Sequence, residues 1–189
     1  FNSIVVWVSD KSLIELRVQN VGLAYRFYQT KGDRMEVTYV IPDGQRRWAQ
    51  TLKTDYEGFY PMQTESRRGK YGYPMLTQYG DNLFGLITES DVSGYMSATH
   101  LAVQESGEYR VEYMSDPVND GDLILTPFNI LILGSLADVV ESTLVTDVIG
   151  RCSIEDTSWI EPGLSSWIYW ANNHGSKDFK KEKEYIDLA

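Results

Sequence analysis

The chain has one cysteine, two histidines and six prolines in 189 residues. With Cys152 alone, no disulfide can close within the chain and no cysteine-based zinc site can form. A lone cysteine of this kind is expected as a small buried side chain. His100 and His174 make no His-Glu-x-x-His pair, and there is no Gly-x-Ser-x-Gly elbow or phosphate-binding glycine loop. No apolar run approaches the roughly 20 residues of a membrane-spanning helix. Basic residues are also few: 17 Lys and Arg stand against 27 Asp and Glu, a net charge of -10. An acidic surface repels phosphate, which argues against nucleic acid and anionic membranes as partners.

What is present favours β-structure. Hydrophobic residues make up 42% of the chain and aromatics 13%, with 13 tyrosines and 15 glycines. That suffices for one sizeable core, or one domain plus a stub. The run Ile4–Val8 is continuously apolar, and Leu13–Val18 alternates as a half-buried strand does. Leu23–Tyr28 and Met35–Ile41 follow, separated by polar turn clusters, so four strands recur at roughly ten-residue spacing. The stretch from Gln45 to Gly80 reads as irregular, aromatic and polar, and strands resume at Leu83–Thr88, His100–Gln104 and Tyr109–Met114. The chain opens at Phe1 as if already inside a strand, so more of the same domain is expected upstream.

The pattern changes after Thr126-Pro127. Asn129–Leu133 is a predicted strand. Ser135 then stands as an N-cap for the segment Leu136–Ser142, with Asp138 at the capping-box position. A linker-like stretch runs from Gly150 to Gly163. Ser165–Trp170 reads as a strand and Ser176–Leu188 as a helix whose inward candidates are Phe179, Tyr185, Ile186 and Leu188. A strand feeding a helix in this way is what the first βα unit of a parallel α/β domain looks like. The alternative is that both elements pack on the β-domain. The division expected is 1–150 for a partial β-sandwich, 151–163 for a linker and 164–189 for the start of a second domain.

Three segments carry a resemblance: Glu141-Ser142-Thr143-Leu144-Val145, Ile154-Glu155-Asp156-Thr157-Ser158-Trp159-Ile160-Glu161-Pro162-Gly163 and Ser166-Trp167-Ile168-Tyr169-Trp170. The chain resembles glycoside hydrolase family 97, the calcium-dependent α-glucosidases and α-galactosidases. Gly22-Leu23-Ala24-Tyr25-Arg26-Phe27, Thr88-Glu89-Ser90-Asp91-Val92 with Tyr95, Thr126-Pro127 and Tyr185-Ile186-Asp187-Leu188-Ala189 match in the same order. Phe128-Asn129 differs from the family's Trp-Arg, Ser97-Ala98-Thr99 from its turn, and Ile168-Tyr169 from its aromatic cluster. The resemblance implies a mainly β fold: part of a galactose-mutarotase-like β-sandwich (a super-sandwich), followed by the first βα unit of a catalytic (β/α)8 barrel that would continue past Ala189. It implies an exported bacterial protein, periplasmic or extracellular, whose partner is an oligosaccharide.

Glycoside hydrolysis needs two carboxylic groups. The resemblance puts them on later barrel strands, so no catalytic residue is assigned in this chain. Glu155 and Asp156 are adjacent and point to opposite faces of an extended segment, and Asp156 reads as a cap or linker residue. The resemblance assigns Glu89 as a ligand of the intact enzyme's calcium, an ion that prefers carboxylate oxygens and takes six to eight of them. Asp116-Pro117-Val118-Asn119-Asp120-Gly121-Asp122 lacks the ligand pattern of a calcium loop and reads as a hairpin turn. The aromatics at Trp48 and Tyr56–Tyr60 could stack on sugars or pack a sandwich edge. Besides a glycosidase portion, the residues leave open a stand-alone carbohydrate-binding module and a structural domain. Exposed sheet edges would allow a homo-oligomer.

Overall fold

The computed structural model describes all residues except 1, 33, 56, 94–95, 117–122, 151, 153, 169–176 and 189. They fall into two compact units, Phe1–Gly150 and Arg151–Ala189. In the first lie strands β1 (Asn2–Trp7), β2 (Leu13–Gln19), β3 (Gly22–Thr30), β4 (Thr38–Tyr39), β5 (Arg46–Trp48), β6 (Met62–Gln63), β7 (Lys70–Tyr71) and β8 (Met75–Gly80). They are followed by β9 (Leu83–Ser90), β10 (Thr99–Val103), β11 (Tyr109–Tyr113), β12 (Leu123–Leu125) and β13 (Phe128–Gly134), then helices α1 (Leu136–Glu141) and α2 (Leu144–Asp147). In the second unit, α3 spans Phe179–Leu188.

The first unit is mainly β, as expected. A nine-stranded antiparallel sheet runs β1-β2-β3-β13-β9-β8-β5-β6, with β12 also pairing β3, and a four-stranded sheet runs β4-β11-β10-β7. Alternation along the central strands divides the core in two. Phe128, Ile130 and Ile132 of β13 pack with Leu86 of β9 against Val139, Leu144 and Val148 of the helical segment. On the other face, Met75, Ile87 and Leu131 meet Tyr71, Leu101 and Tyr109 of the smaller sheet. Ile130 and Leu144 are fully buried, and each such side chain contributes about 1.5–3 kcal/mol.

Local chemistry explains the placements. Ser135 Oγ accepts from the Asp138 N–H at 3.2 Å, and Asp138 Oδ2 accepts from the Ser135 N–H at 2.8 Å, so the expected capping box starts α1. Gly22 lets the helical layer sit close: a Cβ there would lie 2.6 Å from Leu144 Cδ2 and 2.8 Å from the Leu131 carbonyl oxygen. Between Leu125↔Tyr28 and Asn129↔Tyr25 the partner strand has two residues, while the β12–β13 path has three. This is a one-residue β-bulge. Pro127, inside it, has no N–H to give. Thr126 closes the gap: its N–H donates to the Phe27 carbonyl at 3.1 Å, and its hydroxyl accepts the Phe27 N–H at 3.0 Å.

The structure departs from the expectations in several places. The irregular segment Gln45–Gly80 contains β5, β6, β7 and β8, three of them only two or three residues long. Pairs that short have no readable period. Arg47 sits in this region fully buried, its guanidinium donating to the Pro42 carbonyl at 2.9 Å, Ser66 Oγ at 3.0 Å and Tyr109 Oη at 3.2 Å. The strand expected at Met35–Ile41 shrinks to β4, which among the described residues pairs with β11. Residues 165–167 of the expected strand Ser165–Trp170 carry no regular structure, because among the described residues no strand lies beside them to complete a ladder; 169–170 lie outside the described residues. In α3, Phe179, Ile186 and Leu188 are exposed rather than inward-facing. Cys152 is exposed, since its segment has no core to enter. The loop 117–122 and His174 lie outside the described residues.

Candidate functional site

Strand β9 and the residue after it distribute the side chains of Thr88-Glu89-Ser90-Asp91 by alternation. Ser90 points to the helical layer, where its hydroxyl donates to the Val145 carbonyl. Asp91 follows the strand in a left-handed conformation (φ 57°), which Asp tolerates better than most residues. Its carboxylate holds Arg26 at 3.0 Å. Arg26 also pairs with Glu15 at 2.7 Å, and Arg17 reaches the same Glu15 at 2.7 Å. Both guanidinium carbons lie over the buried Phe128 ring, at 4.3 and 4.7 Å from its centre. Burial works to raise the Glu15 pKa, but hydrogen bonds from Arg26 and Arg17 outweigh it and hold the carboxyl below its usual value.

Glu89 shares the Ile87 face and enters the space between the sheets. Its neighbour across the ladder is Asn129 of β13, itself buried. The Thr99 N–H, at the start of β10, donates to both carboxylate oxygens at 3.2 and 3.0 Å, and the Thr99 hydroxyl donates to Oε2 at 2.7 Å. Tyr73 Oη lies 3.2 Å from the Thr99 hydroxyl. Thr99 has one hydroxyl proton, so with that proton on Glu89 the Tyr73 O–H can donate in turn. Nearby, the Tyr25 and Tyr39 hydroxyls lie 3.1 Å apart. Burial pushes Tyr39 and Tyr73 far above the ordinary phenol range, so both are neutral. Burial also raises Glu89 above the usual carboxylate value, although its bonds from Thr99 pull the other way. A cavity of about 30 Å³ adjoins Glu89, lined by Thr99, Thr126, Asn129 and Tyr113 among others. That is room for about one water.

Glu89 is therefore a half-buried carboxylate bonded to neutral donors, while Arg17 and Arg26 are engaged on the opposite face of the sheet. Among the described residues, no three of His, Cys, Asp and Glu come together as a metal-binding group. The chemistry of Glu89 fits one calcium ligand, with the remaining oxygens unaccounted for by these residues. Asp156 stays local: its Oδ1 accepts the Ser158 N–H at 2.9 Å and its carbonyl accepts the Trp159 indole N–H at 3.0 Å. Among the aromatics, Phe59 is 93% exposed and Trp48 half-buried, while Tyr56 and Tyr95 lie outside the described residues. Thr99 and Tyr73 are the neighbours of Glu89 that the sequence reading missed. Ten residues separate Thr99 from Glu89, and only the facing of the two sheets joins them.

A model of the glycosyl-hydrolase 97 N-terminal domain matches residues 1–149. The chain belongs to this family. It is 32% identical over 184 residues to a probable retaining alpha-galactosidase of Streptomyces bingchenggensis (strain BCW-1), covering 92% of this chain and 28% of the relative. The family 97 chain thus spans less than a third of that protein's length. Solved structures agree in fold. A family 97 enzyme from Pseudoalteromonas sp. strain K8 superposes over 94% of this chain and 31% of its own, with a TM-score of 0.70 at 17% identity. That enzyme has been seen with panose and with acarbose. A beta-arabinopyranosidase superposes with a TM-score of 0.66 at 20% identity, over 94% of this chain and 34% of its own.

Proposed function

We propose that this chain is the non-catalytic N-terminal portion of an exo-acting α-glycosidase that hydrolyses α-glucosides or α-galactosides. Its sheets would form part of a galactose-mutarotase-like super-sandwich, and residues 164–189 would begin a (β/α)8 barrel. The domain braces that barrel and lends it Glu89 as one calcium ligand. The observation that supports this role is the Glu89 carboxylate: half-buried, oriented by three bonds from Thr99, and without a basic partner among the described residues. A carboxylate held this way carries a charge that its surroundings only partly stabilise, and a divalent cation would stabilise it further. Calcium, when bound, would supply charge stabilisation at the active site. This chain's part is to hold one ligand in place.

The test is Glu89→Gln in the full-length protein that contains this domain. Calcium affinity, measured by chelator competition, is expected to fall at least about tenfold, since even the loss of a residue that only supports a ligand costs a metal site that much, and activity to fall with it. Unchanged calcium affinity sinks the ligand role. Titration of the 189-residue chain alone with maltooligosaccharides is expected to show no saturable heat. Saturable binding would instead point to a stand-alone carbohydrate-binding module.

A further inference from the structure

The polar side chains lining the small cavity beside Glu89 are Glu89 itself, Thr99, Tyr113, Thr126 and Asn129. All but the last are engaged. Thr99 gives its hydroxyl proton to Glu89 at 2.7 Å. The Thr126 hydroxyl accepts the Phe27 N–H and donates to the Pro127 carbonyl, each at 3.0 Å. The Tyr113 hydroxyl receives the Gln29 amide at 3.5 Å. Asn129 is different: it is only 7% exposed, yet its side-chain amide makes no hydrogen bond among the described residues. The strand register sets Asn129 directly opposite Glu89. Their side chains therefore leave the sheet on the same face, with Cβ atoms about 5 Å apart. A buried amide without a partner is unfavourable unless a water or an ion meets it.

We propose that Asn129 is a second ligand of the cation that Glu89 binds, its side-chain carbonyl supplying the oxygen. This deepens the ligand role proposed for Glu89 and rests on it. Charge and space favour an ion over a water. The cavity, at about 30 Å³, holds one particle of about water size. Among the described residues of its lining only Glu89 is charged. A water there satisfies the amide but leaves the carboxylate charge uncompensated in a largely apolar surrounding. Calcium does both, because it takes carboxylate and Asn carbonyl oxygens alike. Asn129 adds an oxygen without adding charge, and it does so from the neighbouring strand, whose ladder to β9 fixes its distance from Glu89. Two side chains do not complete the six to eight oxygens of this ion, so the 189-residue chain alone binds it weakly.

Two measurements on the full-length protein test this: calcium affinity by chelator competition, and terbium luminescence lifetimes, which count the waters left on the bound ion. Asn129→Leu keeps the side-chain size and removes the oxygen. It is expected to weaken calcium binding about tenfold, the lower end of what losing a residue that only supports a ligand costs, and to add water to bound terbium. Asn129→Asp keeps the oxygen and adds a charge, and is expected to strengthen calcium binding severalfold, since affinity is tuned by ligand charge. A packing role predicts no such gain, because a second carboxylate beside Glu89 only repels it. Near-UV circular dichroism checks that the variants fold, and Asn129→Asp carries the test should the leucine variant unfold. Unchanged affinity and terbium hydration in folded Asn129→Leu overturn the proposal and leave only a water in the cavity. Weaker binding in Asn129→Asp overturns it as well. If either occurs while Glu89→Gln impairs binding, Asn129 falls and the Glu89 reading stands; a Glu89→Gln protein with unchanged calcium affinity overturns both.

Discussion

Replacing Thr126 with valine keeps the side-chain volume and removes one oxygen. That oxygen accepts the Phe27 N–H at 3.0 Å, inside a bulge where Pro127 supplies no donor. Thr126 and Phe27 are both buried, at 5% and 7% exposure, so water cannot readily take the oxygen's place. A buried amide left without an acceptor costs about 1–3 kcal/mol. For a unit of this size, each kcal/mol moves the melting temperature by about 2–4 °C. Thr126→Ser keeps the acceptor and loses only a methyl group, so it should cost about 1 kcal/mol or less. Urea unfolding followed by tryptophan fluorescence gives both values, and hydrogen exchange at the Phe27 amide localises the effect. Equal destabilisation by the two substitutions would show that the hydroxyl does not close the bulge. A valine variant as stable as the parent would refute the reasoning outright.

Arg47→Met should destabilise the first unit by about 2–4 kcal/mol, because the Pro42 carbonyl and the Tyr109 and Ser66 hydroxyls lose a buried donor; the urea midpoint measures it. Arg47→Lys, which keeps a donor, should cost less. His100 is buried, its Nε2 3.4 Å from Glu112 Oε2, whose carboxylate also lies 3.6 Å from Lys70 Nζ. Neither ring nitrogen makes a hydrogen bond among the described residues. Burial, and secondarily the Lys70 charge, lower the His100 pKa from its ordinary 6.5, with Glu112 opposing. The unfolded chain then binds the proton more readily than the folded one, so this contribution to stability is present above pH 6.5 and is lost as pH falls from there towards the lower folded value. Urea midpoints taken between neutral and mildly acidic pH should show that decline, and His100→Gln should flatten it.

The sequence by itself determined the local elements. Alternation marked β2, a continuous apolar run marked β1, β3 and β13 were read as strands between turn signals, and Ser135 with Asp138 announced the start of α1. These signals are legible because each follows from neighbouring residues and the period of one strand or helix. The quoted motifs also resembled family 97, and that resemblance is what proposed Glu89. Only the tertiary structure decided what surrounds them. The short strands β5, β6 and β7 exist because neighbouring strands complete their ladders, and no period can be read in two or three residues. Arg47 is buried because carbonyls and hydroxyls from distant turns converge on it. Residues 165–167 lack strand structure although their composition suits a strand, because ladder formation depends on a neighbour. Glu89 meets Thr99 and Tyr73 because two sheets face each other. Long-range pairing brings these groups together, and that information is not contained in the spacing of any one segment.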